Sequence, residues 1–182
     1  MSKVAIVGDG PGGLSAALFL AKNDHQVAVF GTDETAMHYA HLHNYLGLPE
    51  IAGSEFQQIA RNQASSFGAE LIDQRVTAVS VADGISVTTE SGSNRADYLI
   101  LTEGKNPELA IGLGVETDET GGVVVDRSGR TSIDKVYVIG RSARPTRSQA
   151  IISAGDGASA ALDILAIEEG KDVQDWDSPP KE

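Results

Sequence analysis

Six residues near the start of the chain, Gly8-Asp9-Gly10-Pro11-Gly12-Gly13, constrain what it can fold into more than any other feature. They match G-x-G-x-x-G. The apolar run Lys3 to Val7 precedes them, helical residues from about Gly12 to Lys22 follow, and a second apolar run spans Gln26 to Phe30. Short apolar runs bounded by turn residues read as buried strands, so the segment predicts a strand, a tight turn, a helix and a second strand. The crossover of such a unit is right-handed. Gly8 permits the turn, Gly10 lets backbone approach a pyrophosphate, and Gly13 lets the helix pack on the sheet. The helix N-terminus adds unpaired N–H groups and positive partial charge. In sites of this kind an acid at the end of the second strand holds a ribose. Here that position is Gly31, Thr32 follows it, and Asp33 is the candidate acid.

Further along, Gly31 to Ala52 reads as a long irregular stretch containing His38, His41 and His43, and Ser54 opens a helical pattern. Its apolar residues Phe56, Ile59, Ala60, Ala64 and Phe67 share one face, and Gly68 supplies the stop. Arg75 to Val81, Ile85 to Thr89 and Asp97 to Leu101 read as strands, with turns at Asp83-Gly84 and Ser91-Gly92-Ser93-Asn94. A Gly-rich acidic loop leads to a last strand, Lys135 to Gly140, and a terminal helix from about Ala150 to Glu169. The expected organisation is one domain over 1–170 and a polar tail over 171–182, frayed from Trp176 to Glu182, where Pro179-Pro180 lies.

Composition removes several classes of function. Twenty-six acidic residues against fourteen basic ones give a net charge of −12, which opposes binding along a nucleic-acid backbone. The same surface would suit salt adaptation, because concentrated salt screens acidic self-repulsion. The chain has no cysteine, so thiol catalysis, disulfides and cysteine-ligated metals are excluded within it, and redox chemistry would need a cofactor. No metal site is expected, since the three histidines lack an obvious fourth ligand. No signal-peptide pattern opens the chain and no apolar run looks long enough to cross a bilayer, so a cytoplasmic protein is expected.

The sequence resembles the flavoprotein family of thioredoxin reductases from Lys3 to about Leu165. Besides Gly8 to Gly13, Asn44-Tyr45-Leu46-Gly47 and Ser54-Glu55-Phe56 resemble the loop and helix that pass beside the flavin. Tyr98 to Gly104 resembles the family's strand ending in Ala-Thr-Gly, here Thr102-Glu103-Gly104, and Arg75-Val76 falls where backbone meets the adenine. Val136 to Gly140 and Ser148-Gln149-Ala150, then Ile151 to Gly157, resemble the closing strand and helix.

The resemblance implies a Rossmann-like α/β domain of three layers: a parallel sheet, helices on one face and a small antiparallel β meander on the other. It implies FAD, held by Gly8, Gly10, Pro11, Gly12, Gly13, Asp33, Asn44, Val76, Thr102, Gly104, Gly140, Arg141, Gln149 and Ala150. Two departures stand out. Arg141 replaces the acid that follows the final strand's glycine, and a guanidinium there suits a pyrophosphate. Only about thirty residues, Lys105 to Lys135, join the strands between which complete reductases carry an NADPH domain with a Cys-x-x-Cys pair.

The implied function is an FAD-dependent oxidoreductase or electron-transfer flavoprotein, with no assigned catalytic residue. It would work with a separate donor or acceptor, small molecule or protein, and a homodimer is compatible with it; neither nucleic acid nor membrane is an expected partner. The alternatives are a non-catalytic flavin or nucleotide module serving as a redox-sensing subunit, and an NAD-binding domain.

Overall fold

The computed structural model describes residues 1–179. Five parallel strands, β1 (Lys3–Val7), β2 (Gln26–Gly31), β5 (Glu70–Asp73), β9 (Tyr98–Leu101) and β10 (Val136–Val138), form one sheet in the order β10-β9-β1-β2-β5. The middle strands are buried on both faces, as parallel strands require, and β9 and β10 are apolar at every position. Chain order reverses between β1 and β9, which makes the carboxyl ends of those strands the switch point where ligands bind in open sheets.

One face carries the helices α1 (Pro11–Lys22), α2 (Gly53–Ser66) and α4 (Ala150–Glu169). Helices α1 and α4 run side by side at short range because small residues face each other. A Cβ at Gly157 would stand 2.1 Å from the Gly12 carbonyl oxygen, and Ala16, Ala160 and Ala161 are fully buried alongside. Gly12 lies over Ser153 and Ala16 against Gly157, so the two helices are parallel and their N-termini open on the same edge of the sheet. Gly170, in the left-handed region at φ 67°, ends α4.

The other face carries an antiparallel meander of β6 (Val76–Ser80), β7 (Ile85–Thr89) and β8 (Gly92–Ala96), packed with α3 (Glu108–Gly112) over a second apolar cluster that includes Val87, Leu99, Leu101 and Val138. A small ribbon, β3 (His41–Leu42) and β4 (Ile51–Ala52), folds the long loop after β2 back on itself. The expected layers are therefore present.

Several local expectations change. Residues 92–94, read as part of a turn, belong to β8, which runs on to Ala96; Glu70–Asp73 forms the sheet's edge strand; and α3 interrupts the connection after β9. Helix α4, 20 residues long, is by length and composition apolar enough to cross a bilayer, with a mean hydropathy of 1.5 over its most apolar 18-residue window. In this fold that composition serves the core: Gly157, Ala160, Ala161, Ile164 and Leu165 cover the sheet. Within the tail, Val173 packs on the core and Lys22 pairs with Asp175 (3.1 Å) and Asp177 (2.7 Å). Fraying of 180–182 is a matter outside the described residues.

Candidate functional site

The Gly-rich turn sits at the switch point and is held there by backbone. The Gly8 N–H donates to the Phe30 carbonyl (2.8 Å), and Thr102 N–H donates to Val7 (2.8 Å), so the ends of β1, β2 and β9 are locked together. Gly8 adopts φ 108°, and a Cβ on it would stand 2.3 Å from the Thr102 carbonyl oxygen, so only glycine fits. Gly13 meets the same turn from the helix side: its Cβ would stand 2.0 Å from the Gly8 carbonyl oxygen. Gly10 differs. It is the N-cap of α1, makes no side-chain cap, and has nothing within 4 Å of where its Cβ would be. Pro11 follows at the first helical position, where its missing N–H is no loss. The turn thus presents open backbone at Gly10 and a helix end behind it, which is the form a phosphate needs.

The carboxyl ends of the remaining strands close around the turn. Gly140, after β10, has φ 65° and donates its N–H to Asp156 of α4 (3.2 Å); Arg144 pairs with the same carboxylate (3.0 Å). Arg141 lies on the one-turn 3-10 helix Gly140–Ser142, and its Nε is buried with no hydrogen-bond partner among the described residues. A buried guanidinium nitrogen without an acceptor is costly unless an anion or other acceptor satisfies it.

After β9, the Gly104 carbonyl accepts from Ser142 Oγ (3.2 Å). Glu103, the departure in Thr102-Glu103-Gly104, turns away to accept the N–H groups of Leu109 (2.8 Å) and Ala110 (3.0 Å) at the start of α3. Burial raises its carboxyl pKa, against the two backbone donors that favour the charged form.

Asn44 and Gln149 come together from 105 residues apart: Asn44 Nδ2 donates to Gln149 Oε1 (3.0 Å), and Gln149 is the N-cap of α4, followed by Ala150 at its first position. The loop around them is open, a recess lined by His43 to Pro49 with Leu46 89% exposed. At the far end of the edge, Asp33 and Val76 lie on segments tied together by an ion pair between their neighbours Glu34 and Arg75 (2.7 Å). The fourteen residues singled out in the sequence therefore lie along the carboxyl ends of the strands and the two helix ends that open on them.

Sequence reasoning missed the group around Asp33. Asp9, a buried carboxylate, accepts the Asp33 N–H (3.0 Å) and pairs with Arg61 of α2. Gln57, fully buried, donates to the Asp9 carbonyl (2.7 Å) and to Asp33 Oδ1 (3.0 Å). The histidines also sort differently from their order in sequence. His38 pairs with Asp33 (3.3 Å), whereas His41, His43 and Glu50 converge on the β3-β4 ribbon with ligand atoms within 4.8 Å of one another. All three are exposed, and the ribbon explains the meeting, because His41 and His43 share one side of an extended segment while Glu50 returns beside them.

Comparison with known proteins decides what this edge belongs to. The family model for pyridine nucleotide-disulphide oxidoreductases matches residues 2–53 and 47–158. The chain belongs to that family. It is 30% identical to a thioredoxin reductase of Streptomyces coelicolor over 200 residues, covering 96% of this chain and 61% of the relative. It is 36% identical to the bifunctional thioredoxin reductase/thioredoxin of Mycobacterium leprae over 108 residues, 56% of this chain and 24% of that one. The chain thus spans less than two thirds of either relative's length. In fold it matches a thioredoxin reductase from Gloeobacter violaceus with a TM-score of 0.87 and 18% identity over 98% of both chains. The cofactor that goes with this membership is FAD. The structure fits it: Gly10 leaves room, the N-termini of α1 and α4 open on one edge, and Arg141 offers an unsatisfied donor there.

Proposed function

We propose that this chain binds FAD along the carboxyl ends of its parallel strands and acts as an oxidoreductase or electron-transfer flavoprotein that draws electrons from a separate donor. The observation that carries the reading is the shared opening of two parallel helix N-termini, one at the Gly-rich turn and one at Gln149, whose side chain accepts a hydrogen bond from Asn44. A dinucleotide with a redox-active ring needs both: one positive end for its pyrophosphate, one for the ring that becomes anionic on reduction.

When bound, FAD supplies the electron chemistry. The protein supplies the rest. The backbone of Gly10 to Gly13 and the Arg141 guanidinium hold phosphate, Asp33 and the Val76 backbone take the adenosine end, and Asn44, Gln149 and Ala150 face the ring. Thr102, Gly104 and Gly140 keep the strand ends close enough to the turn for these contacts to coexist. The open recess from His43 to Pro49 supports access by a donor or acceptor, as does the short Lys105 to Lys135 connection, whose residues 116–121 are exposed. The M. leprae relative, which joins a thioredoxin reductase and a thioredoxin, supports a protein as that partner.

The test is identification of the cofactor. Purified protein should be yellow and release FAD on denaturation, separable from FMN by chromatography, because FMN has no pyrophosphate to occupy the Gly-rich turn. A colourless protein that ignores added FAD and binds NAD would refute the reading.

A further inference from the structure

In this fold the acid that reads a ribose stands at the end of the second strand, about twenty residues beyond the Gly-rich turn. Residue 31 holds that place here and is glycine. The structure shows why no side chain can be there: a Cβ on Gly31 would lie 2.3 Å from Asp9 Cγ and 2.5 Å from Asp9 Oδ1. The carboxylate of Asp9, the second residue of the Gly-rich turn, fills the space into which a strand-end acid would project.

Asp9 is poorly placed to replace that acid. Its side chain is 6% exposed, and its Oδ2 is engaged by Arg61 and by the Asp33 N–H. What it does instead is fix the next acid along. Asp33 sits at φ 56°, a left-handed conformation that aspartate tolerates better than most residues but does not adopt for free. The Asp9 carboxylate holds the Asp33 N–H, and Gln57 holds Asp33 Oδ1, so backbone and side chain are both fixed. The Asp33 side chain remains 42% exposed at the sheet's carboxyl edge.

We infer that Asp33 reads the 2′-hydroxyl of the adenosine ribose, and that Asp9, Gln57 and Arg61 are positioning residues whose network moves the ribose acid from position 31 to position 33. This rests on the FAD reading above and adds which group of the ligand is recognised and by what device. Arg61 compensates the buried Asp9 charge, without which that carboxylate would be too costly to bury.

The experiment compares FAD with its 2′-deoxyadenosine analogue, measuring affinity by flavin fluorescence on cofactor-stripped protein. A hydrogen bond from the hydroxyl to a carboxylate predicts that wild type prefers FAD by roughly 10-fold or more. Asp33→Ala, an exposed change, should keep the fold and reduce that preference below about 2-fold. Asp9→Gly should do the same while Asp33 is still present, a result that loss of stability alone would not produce, since both ligands would then weaken equally. Gly31→Glu alone should abolish binding, and the triple variant Asp9→Gly, Gly31→Glu, Asp33→Ala should restore the preference for FAD by returning the acid to the strand end.

If wild type binds FAD but does not discriminate the analogue, or if Asp33→Ala discriminates as wild type does, the inference is overturned and the FAD reading survives. An Asp9→Gly variant that discriminates as wild type does overturns the positioning role. Failure of wild type to bind either flavin overturns both readings.

Discussion

Gly10 and Gly13 stand three residues apart in one turn and answer to different demands. A side chain at Gly10 would project into open space, whereas one at Gly13 would strike the Gly8 carbonyl. Gly10→Val should therefore fold, losing at most about 1 kcal/mol for a poorer N-cap, while most FAD affinity disappears because the branched side chain fills the room that phosphate requires. Gly13→Ala should lose about 1 to 3 kcal/mol or fail to fold, because backbone must move on both sides. Thermal melts paired with FAD titration separate the two; a Gly10→Val protein with wild-type affinity would show that the phosphates lie elsewhere. The turn was legible in the sequence because its glycines are contiguous and flanked by apolar runs. The network on Asp33 was not, because Arg61 and Gln57 approach Asp9 from about fifty residues away through tertiary packing. The one local clue is the pairing of Gly31, where an acid belongs, with an acid at position 9 inside the turn.

Among the elements, α4 carries the most. Its N-terminus opens on the edge proposed to hold the flavin, and its C-terminal half is fastened to the sheet by polar tips of buried tyrosines, Tyr137 to Asp163 (2.7 Å) and Tyr98 to Glu168 (2.9 Å). Asp163 also takes a bidentate pair from Arg130, both contacts at 2.6 Å. Burial works against the Asp163 carboxylate, but the bonds from Arg130 and Tyr137 outweigh it and hold its pKa below the ordinary 3.8. A carboxyl group depressed in the folded state stabilises fully above its unfolded value and loses that stabilisation as pH falls through the lower folded value. Asp163→Asn should thus cost about 1 to 2 kcal/mol at pH 7, the half-exposed Arg130 being partly screened. The gap from wild type should narrow as pH falls below the unfolded value near 3.8, and a gap unchanged in acid would contradict the pairing.

At the other end of α4, Ala150→Asp should lower the potential of bound flavin by tens of millivolts, ~1 kcal/mol being about 20 mV for a two-electron couple. A raised potential against reference dyes would mean that the ring does not face α4. This helix was legible in extent from its apolar run, whereas α3, five residues long, and β8, whose GSNRA sequence is exposed at four of five positions, carry too little periodic signal to be read alone.

As a whole, the molecule is a three-layer fold that the strand, turn and helix signals foretold in outline, with its polar network left to tertiary structure. Its net charge of −12 bears on conditions as well as partners. If the acidic surface is salt-adapted, melting temperature rises between 0.1 M and 1 M salt, where the Debye length falls from about 10 Å to about 3 Å; a flat or falling trend would mark an ordinary acidic protein. In the proposed function, electrons reach an FAD on this chain from outside it. Among the described residues there is one Gly-rich strand-turn-helix, which FAD occupies in this account, and the sequence has no cysteine to pass electrons to a disulfide. FAD-loaded protein mixed anaerobically with NADPH should keep its flavin absorbance, while dithionite bleaches it. Rapid, stoichiometric bleaching by NADPH alone would contradict the account and establish a nicotinamide site on the chain itself.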